Sequence, residues 1–190
     1  MTVGISAIML NEATYVENWL RNVLSFSDFY DDIVVVDGGS DDGTAEYLRQ
    51  RGVRVIVRPF ADDFAAQRNA AIEACRTQWI VEVDADEALS IPLGRGLRLI
   101  CENAVRDGVD CIGIPRLNFL DGVLVAGPGA GGLDYQYRIH RSSGRWRNRV
   151  HEEMGFTARV ELRLQDGHFM THMKDKVRHE VRNVYYRSLL

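Results

Sequence analysis

Where the apolar run Ile80-Val81-Glu82-Val83 ends, three carboxylates follow almost at once, at Asp84, Asp86 and Glu87. Like charges at that spacing repel unless a cation or a set of donors lies among them. On an extended segment side chains alternate, so Asp84 and Asp86 are expected on one side of the chain. Two hard oxygen ligands so placed can hold Mg²⁺ or Mn²⁺ together with the oxygens of a substrate diphosphate. Such an ion neutralises the charge that builds on a nucleoside-diphosphate leaving group. An acidic turn after a strand is the plainer account of the same residues.

Other segments carry chemistry of their own. Asp37 closes the run VVVDGGSDDGT, in which the glycines let backbone approach a ligand and Ser40 or Asp42 can cap a following helix. Arg68-Asn69 lies inside an Ala-rich stretch, where a buried arginine is costly unless it meets an anion. Arg138, Arg141, Arg145, Arg147 and Arg149 fall close together, either as a solvated face or, with Lys174 and Lys176, as donors closing over a diphosphate. The loop Gly127-Pro128-Gly129-Ala130-Gly131-Gly132 reads as a lid or as a simple hairpin connection.

Alternating strands and helices must position these groups. Val3–Met9, Ile33–Val36, Val53–Val57 and Trp79–Val83 read as strands, with helices over residues 14–26, from Ala45, and over 64–75. Such βαβ units imply an α/β fold with a largely parallel, covered sheet whose ligands collect at the carboxyl ends of its strands. Asp37 and the pair Asp84/Asp86 stand at such ends. After a helix over 93–105 the pattern changes to antiparallel: residues 110–125 alternate around an Asp121-Gly122 turn, and 135–140 alternate again. Val177, Val181, Val184, Tyr185 and Leu189 share one face of a last helix, expected to pack on the domain or, being flanked by arginines, to rest on an anionic membrane surface.

The 190 residues fit a single domain, with residues 1–90 forming a nucleotide-sugar half and 91–190 an acceptor half ending in that helix. Charge is uneven: residues 1–134 hold 11 Lys and Arg against 21 Asp and Glu, and residues 135–190 hold 12 against 6 together with all five histidines. An acidic part and a basic part can hold a metal ion and a polyanion between them; a solvated surface of uneven charge is the plainer account. Cys75, Cys101 and Cys111 are odd in number and widely spaced, which suggests buried free thiols rather than a disulfide framework or zinc knuckle. No leader pattern opens the chain and no apolar run reaches the ~20 residues of a membrane span, so the chain reads as cytoplasmic, with peripheral contact at the inner membrane face open to its last helix.

The segments AIMLNEATYVENWL, IVVVDGGSDDGT, FAAQRNAAIEA and WIVEVDADEAL, in this order and spacing, resemble the family 2 glycosyltransferases of GT-A fold, and among them the small lipopolysaccharide-core β-glucosyltransferase-like enzymes. YQYRIHRSSGRWRNRVHEEM and the region of His172 fit the same subgroup. The resemblance implies inverting, metal-dependent transfer of a sugar from a nucleotide donor, UDP-linked by preference, to a hydroxyl on a glycan, a lipid carrier or a modified nucleobase in DNA. It implies donor contacts at Asn11, Glu12, Asp37, Arg68, Asp84, Ala85 and Asp86, and a Mn²⁺ or Mg²⁺ ion at Asp84 and Asp86, with His172 as a further ligand or a structural histidine. The His-Glu element falls on His151-Glu152-Glu153, with Glu152 as the base and Glu153 as its alternate; an exposed turn with a structural histidine is the other account. Arg138, His151 and Lys174 are the implied leaving-group contacts. Gly38 departs from the Asp or Ser of many relatives, which touches base recognition. A nucleotidyltransferase is disfavoured, since Met9-Leu10-Asn11-Glu12 stands where such enzymes carry a Gly-rich loop. The alternative function is a non-catalytic sugar-nucleotide binder or assembly protein of the same fold.

Overall fold

The computed structural model describes residues 1–125, 134–177, 180–181 and 184–185, so the Gly127–Gly132 loop and Leu189 lie outside the described residues. Strands β1 (Val3–Met9), β2 (Asp32–Asp37), β3 (Arg54–Val57) and β4 (Trp79–Glu82) alternate with helices α1 (Val16–Leu24), α2 (Thr44–Arg49) and α3 (Phe64–Ala74). There follow β5 (Glu87–Leu89), α4 (Ile91–Arg106), β6 (Cys111–Leu120), β7 (Val123–Val125) and β8 (Asp134–Arg141). The remaining strands are β9 (Trp146–Arg147), β10 (Glu153–Met154), β11 (Arg159–Glu161) and β12 (Met170–Lys174).

The main sheet runs β3-β2-β1-β4-β8-β6-β12-β5, with β7 and β11 also paired to β6, and β9-β10 form a separate antiparallel pair. The first four strands are parallel. Antiparallel β8 joins them to β6, which is parallel to β12, and β5 closes the far edge antiparallel to β12. The expected α/β class therefore holds, with the antiparallel portion where the pattern changes. The Asp121-Gly122 turn joins β6 to antiparallel β7, and both residues take the positive φ such a turn requires.

Apolar periodicity explains the two faces. Val16, Trp19, Leu20 and Val23 of α1 and Leu93, Leu97, Cys101 and Ala104 of α4 form buried stripes on one face of the sheet. Ala65 and Ile72 of α3 pack with Ile80, Trp146 and Met154 on the other. All three cysteines are free and buried, and burial pushes the Cys101 and Cys111 thiols up to about 12. Of the two placements expected for the last helix, packing on the domain does not hold at Val177, Val181 and Val184, which are exposed. No helix among the described residues is long and apolar enough to cross a membrane.

Candidate active site

The carboxyl ends of β1, β2 and β4 open into a cleft of about 900 Å³. From the first half of the chain it is bordered by Asn11, Glu12, Arg68 and the turn Asp84-Ala85-Asp86, and from the second half by Arg138, His151, Glu152, His172 and Lys174. Two expected residues stand apart. Asp37 is 1% exposed. Its Oδ1 accepts from the amides of Gly39 (3.0 Å) and Ser40 (2.9 Å), and its Oδ2 from the Ser40 hydroxyl (2.6 Å). Glu153 is exposed on β10, while its neighbour Glu152 borders the cleft.

The loops after β1 and β2 are knitted to each other. The Asn11 amide donates to Ser40 Oγ, the Glu12 amide to Thr44 Oγ1 and the Ala13 amide to Asp42 Oδ2, while the Asp41 amide donates to Asn11 Oδ1. Helix α2 starts from Gly43 at φ 92°, and Asp42 Oδ1 accepts from the amide of its first residue, Thr44, at 3.0 Å, whereas Ser40 turns to Asp37 and Asn11. Both side chains hold the rim of the cleft, with Asn11 in the left-handed region at φ 55°.

Behind the cleft lies a buried network of guanidinium and carboxylate groups. Arg68, 7% exposed, donates from Nη1 to Glu82 Oε2 (2.8 Å) and Asp84 Oδ1 (3.0 Å), from Nη2 to Asp84 Oδ2 (3.1 Å) and from Nε to Glu152 Oε1 (3.2 Å). Arg138 Nη2 donates to Asp84 Oδ2 at 2.6 Å. Burial alone would raise the Asp84 carboxyl, but Arg138 and Arg68 outweigh it and hold the group well below the usual carboxylate range. Glu82 is likewise lowered: burial opposes ionisation, and Arg68, then His140 and Arg138, overcome it. Trp146 Nε1 donates to Glu82 Oε1 at 2.5 Å, and His140 Nε2 lies 3.1 Å from the same oxygen. The anion expected beside Arg68 is thus supplied by the protein itself.

Asp84 and Asp86 meet different hydrogen-bond and ion-pair partners. The Glu87 amide donates to the Asp84 carbonyl (2.9 Å) and Glu87 Oε2 accepts from the Asp84 amide (3.0 Å), so the segment turns where an extended course was expected. Asp84 faces the two arginines, whereas Asp86 Oδ2 lies 3.3 Å from His172 Nε2. Asn118 Nδ2 donates to Asp134 Oδ2, which directs Asn118 Oδ1 to accept from His172 Nδ1 at 3.0 Å. Nε2 is left as a proton for Asp86 or as a lone pair for a cation between the two, the second-sphere arrangement typical of ligating histidines. Among the described residues no three His, Cys, Asp or Glu side chains form a metal group. One carboxylate and one imidazole therefore suit an ion that takes its other ligands from water and phosphate, as Mg²⁺ and Mn²⁺ do.

Glu152 is delivered by a strained, tethered segment. Asn148 (φ 69°) and His151 (φ 55°) occupy the left-handed region, at a cost of order 1–3 kcal/mol each. Asn69 of α3 exchanges two hydrogen bonds with the Trp146 backbone, and the Phe64 amide donates to the Arg149 carbonyl. The Tyr185 hydroxyl donates to Asp62, bringing the last helix to the cleft, where Val181 and Tyr185 form part of the wall. The arginine cluster disperses. Arg138 is buried, Arg141 pairs with Asp110, and Arg145 and Arg149 donate to backbone carbonyls. Glu82 and Arg116, which pairs with Glu87 and Asp134, escaped the sequence reading. A charge inside an otherwise apolar strand was the available signal for Glu82; Arg116 had none.

A family model for glycosyl transferase family 2 matches residues 6–114, which take in the end of β1, all of β2 to β4 and the Asp84–Asp86 turn and stop short of Arg138 and Glu152. An uncharacterised glycosyltransferase of Rickettsia bellii is 35% identical over 92 residues, 47% of this chain and 30% of the relative. The lipopolysaccharide core biosynthesis glycosyltransferase LpsC of Rhizobium meliloti is 32% identical over 87 residues, 43% of this chain and 30% of the relative. The structure of S. aureus TarS 1-349 in complex with UDP-GlcNAc has the same fold, with a TM-score of 0.66 at 16% identity over 92% of this chain and 59% of that one. The chain spans about a quarter to a third of the length of the curated relatives it matches.

Proposed function

The chain belongs to glycosyl transferase family 2, and from that membership we propose an inverting transfer of one sugar from a UDP-sugar to a glycan hydroxyl. The observation that carries the reading is a single cleft, at the carboxyl ends of the parallel strands, that gathers Asp84, Asp86, His172 and Glu152. The UDP-GlcNAc bound by TarS supports uracil as the base, and the name of LpsC supports a glycan acceptor.

The chain's residues divide the work. Asn11, Glu12 and Ala85 border the donor end of the cleft. Asp84, immobilised between Arg68 and Arg138, offers a fixed carboxylate to donor hydroxyls. Four of the five N–H donors of Arg68 are committed to Glu82, Asp84 and Glu152, so its part is to position these carboxylates. Asp86 and His172 would hold a divalent cation, which when bound supplies charge neutralisation at the leaving diphosphate. Lys174 and His151 reach the same space. Glu152 takes the acceptor proton as the acceptor oxygen bonds to the anomeric carbon; the bond from that carbon to the diphosphate breaks on the opposite face, and its electron pair leaves with UDP.

The test is nucleoside-diphosphate release. With Mn²⁺ present, UDP-sugars are expected to release UDP, GDP- and dTDP-sugars are not, and Asp86→Ala or Glu152→Gln is expected to lower the rate by roughly 10²-fold or more. Saturable UDP binding with no release from any donor, even with glycan acceptors added, would instead identify a non-catalytic binder.

A further inference from the structure

Arg116 of β6 borders the same cleft as Asp86 and His172 but has no step of its own in the transfer. Its side chain is 14% exposed and spans two carboxylates that stand on different strands. Nε and Nη2 donate to Asp134 Oδ2 of β8 at 2.9 and 2.6 Å, and Nη1 donates to Glu87 Oε1 of β5 at 3.0 Å. Since β12 lies between β6 and β5, the guanidinium reaches across the strand that carries His172. Arg138 is 3.6 Å from the same Glu87 oxygen, too far for a hydrogen bond, so Arg116 is what holds that oxygen.

From each carboxylate a chain of hydrogen bonds runs on to one of the two candidate ligands. On the first side, Asp134 Oδ2 also accepts from Asn118 Nδ2 at 3.0 Å, and its Oδ1 accepts from Gln136 Nε2 at 2.7 Å. Burial opposes ionisation of Asp134, but Asn118 and Arg116 outweigh it and hold the carboxyl below its ordinary value. An ionised carboxylate only accepts. The Asn118 amide must therefore present its NH₂ to Asp134 and its Oδ1 to His172 Nδ1, 3.0 Å away. This makes Nδ1 the protonated nitrogen and aims Nε2 at Asp86 Oδ2, 3.3 Å away. On the second side, Glu87 Oε2 accepts from the Asp84 amide at 3.0 Å and closes the turn that delivers Asp86, whose carbonyl accepts from the Met173 amide at 2.8 Å. Glu87, His172 and Asn118 are direct cross-strand partners, in one row across β5, β12 and β6. Both ends of that row are braced by one planar group whose fork can hold two carboxylates at once.

We propose that Arg116 is the positioning residue of this site: one guanidinium, acting through Asp134 and Asn118 on one side and through Glu87 on the other, aims His172 Nε2 and Asp86 at a common point. The inference rests on the reading of Asp86 and His172 as holders of a divalent cation, and adds that their convergence is set by the hydrogen bonds behind them. Removing such outer partners typically lowers metal affinity by about 10- to 100-fold, because the ligands keep their identity and lose their direction.

The test binds Mn²⁺, as its UDP complex, to the full chain and reads the bound ion by electron paramagnetic resonance, with UDP alone titrated by calorimetry in parallel. Arg116→Lys keeps the charge and loses the fork, while Asn118→Leu keeps the volume and loses the amide. Both are expected to weaken binding of the Mn²⁺–UDP complex by roughly 10- to 100-fold and to leave binding of metal-free UDP unchanged. Spin-echo modulation from an imidazole ¹⁴N, expected in the unaltered chain and absent from His172→Ala, should be diminished in both variants. Unaltered Mn²⁺ affinity and ¹⁴N modulation in Arg116→Lys and Asn118→Leu overturn the proposal. So does an equal loss of UDP binding with and without metal, which would make Arg116 a nucleotide contact. Absence of ¹⁴N modulation from the unaltered chain, or Mn²⁺ binding that survives both Asp86→Ala and His172→Ala, would instead sink the cation reading and the proposal with it, so the two failures are distinguishable.

Discussion

At the scale of single residues, the site is governed by Glu82, which touches no solvent and no part of the cleft yet accepts from Arg68, Trp146 and His140. Its folded-state ionisation lies below the ordinary carboxylate value, so across the acid range the unfolded chain binds more protons than the folded one. The stabilisation is therefore complete above the unfolded value of about 4.3 and is lost as pH falls toward the folded value. Urea midpoints measured from pH 7 downward should be flat until about pH 5 and then fall. Glu82→Gln should lower stability at pH 7 by about 3–5 kcal/mol, because Arg68 and Arg138 remain buried with one counter-charge fewer, and should flatten the acid slope. An unchanged slope in that variant would show that other carboxylates govern the acid limb. Little of this was legible in the sequence. Arg68 in an Ala-rich helix announced that some anion was needed, but its partners lie 14, 16 and 84 residues away, and only the folded sheet brings them together. Asp37 was legible as a strand-end carboxylate, but not as one consumed by its own loop, because that depends on backbone amides whose direction no pattern of residue types records.

Among elements, the parallel half was legible and the joints were not. Strands β1 to β4 fall within a residue or two of their sequence boundaries, since a β-branched run flanked by Gly and Asp has few other uses. The turn at Asp84–Glu87 was hidden because alternation alone reads as strand, while the reversal is set by a Glu87 side chain returning to the Asp84 amide. Helix α4 shows a local rule yielding to packing. Gly94 sits inside the helix, where alanine would be favoured by up to about 1 kcal/mol on intrinsic propensity. A Cβ at Gly94 would lie 2.5 Å from the Phe26 ring, however, and Phe26 is buried beneath the helix. Overpacking typically costs about 1–3 kcal/mol and outweighs the propensity gain, so Gly94→Ala should lower the thermal midpoint. Adding Phe26→Leu should recover part of that loss, a positive coupling in a double-mutant cycle. Stabilisation by Gly94→Ala alone would mean that α4 can shift away from Phe26 at no cost.

For the whole molecule, the uneven charge suggested an acidic part and a basic part facing each other across a ligand, and the fold uses that imbalance differently. Arg68 of the first half meets Glu152 of the second, while Arg138 and His140 of the second meet Asp84 and Glu82 of the first. Strand order compounds the mixing: β8 and β6 separate β4 from β12, and β5, from the first half, closes the sheet beyond them. A boundary near residue 90 therefore cuts through paired strands and buried ion pairs, leaving uncompensated charge on both sides. Neither half has a complete core, and the described residues should unfold as one cooperative unit. The three tryptophans can show this, because Trp19 and Trp79 lie in the core under α1 and α4 while Trp146 lies in the cluster on the α3 side. In urea, fluorescence of Trp146→Phe reports the first core, and fluorescence of a Trp19→Phe/Trp79→Phe variant reports the second. Within each variant, fluorescence and far-UV circular dichroism should share one midpoint and one slope. An earlier loss of the Trp146 signal would separate the face that carries Glu152 from the sheet that carries Asp84 and Asp86, and the site would then be assembled from two independently stable parts.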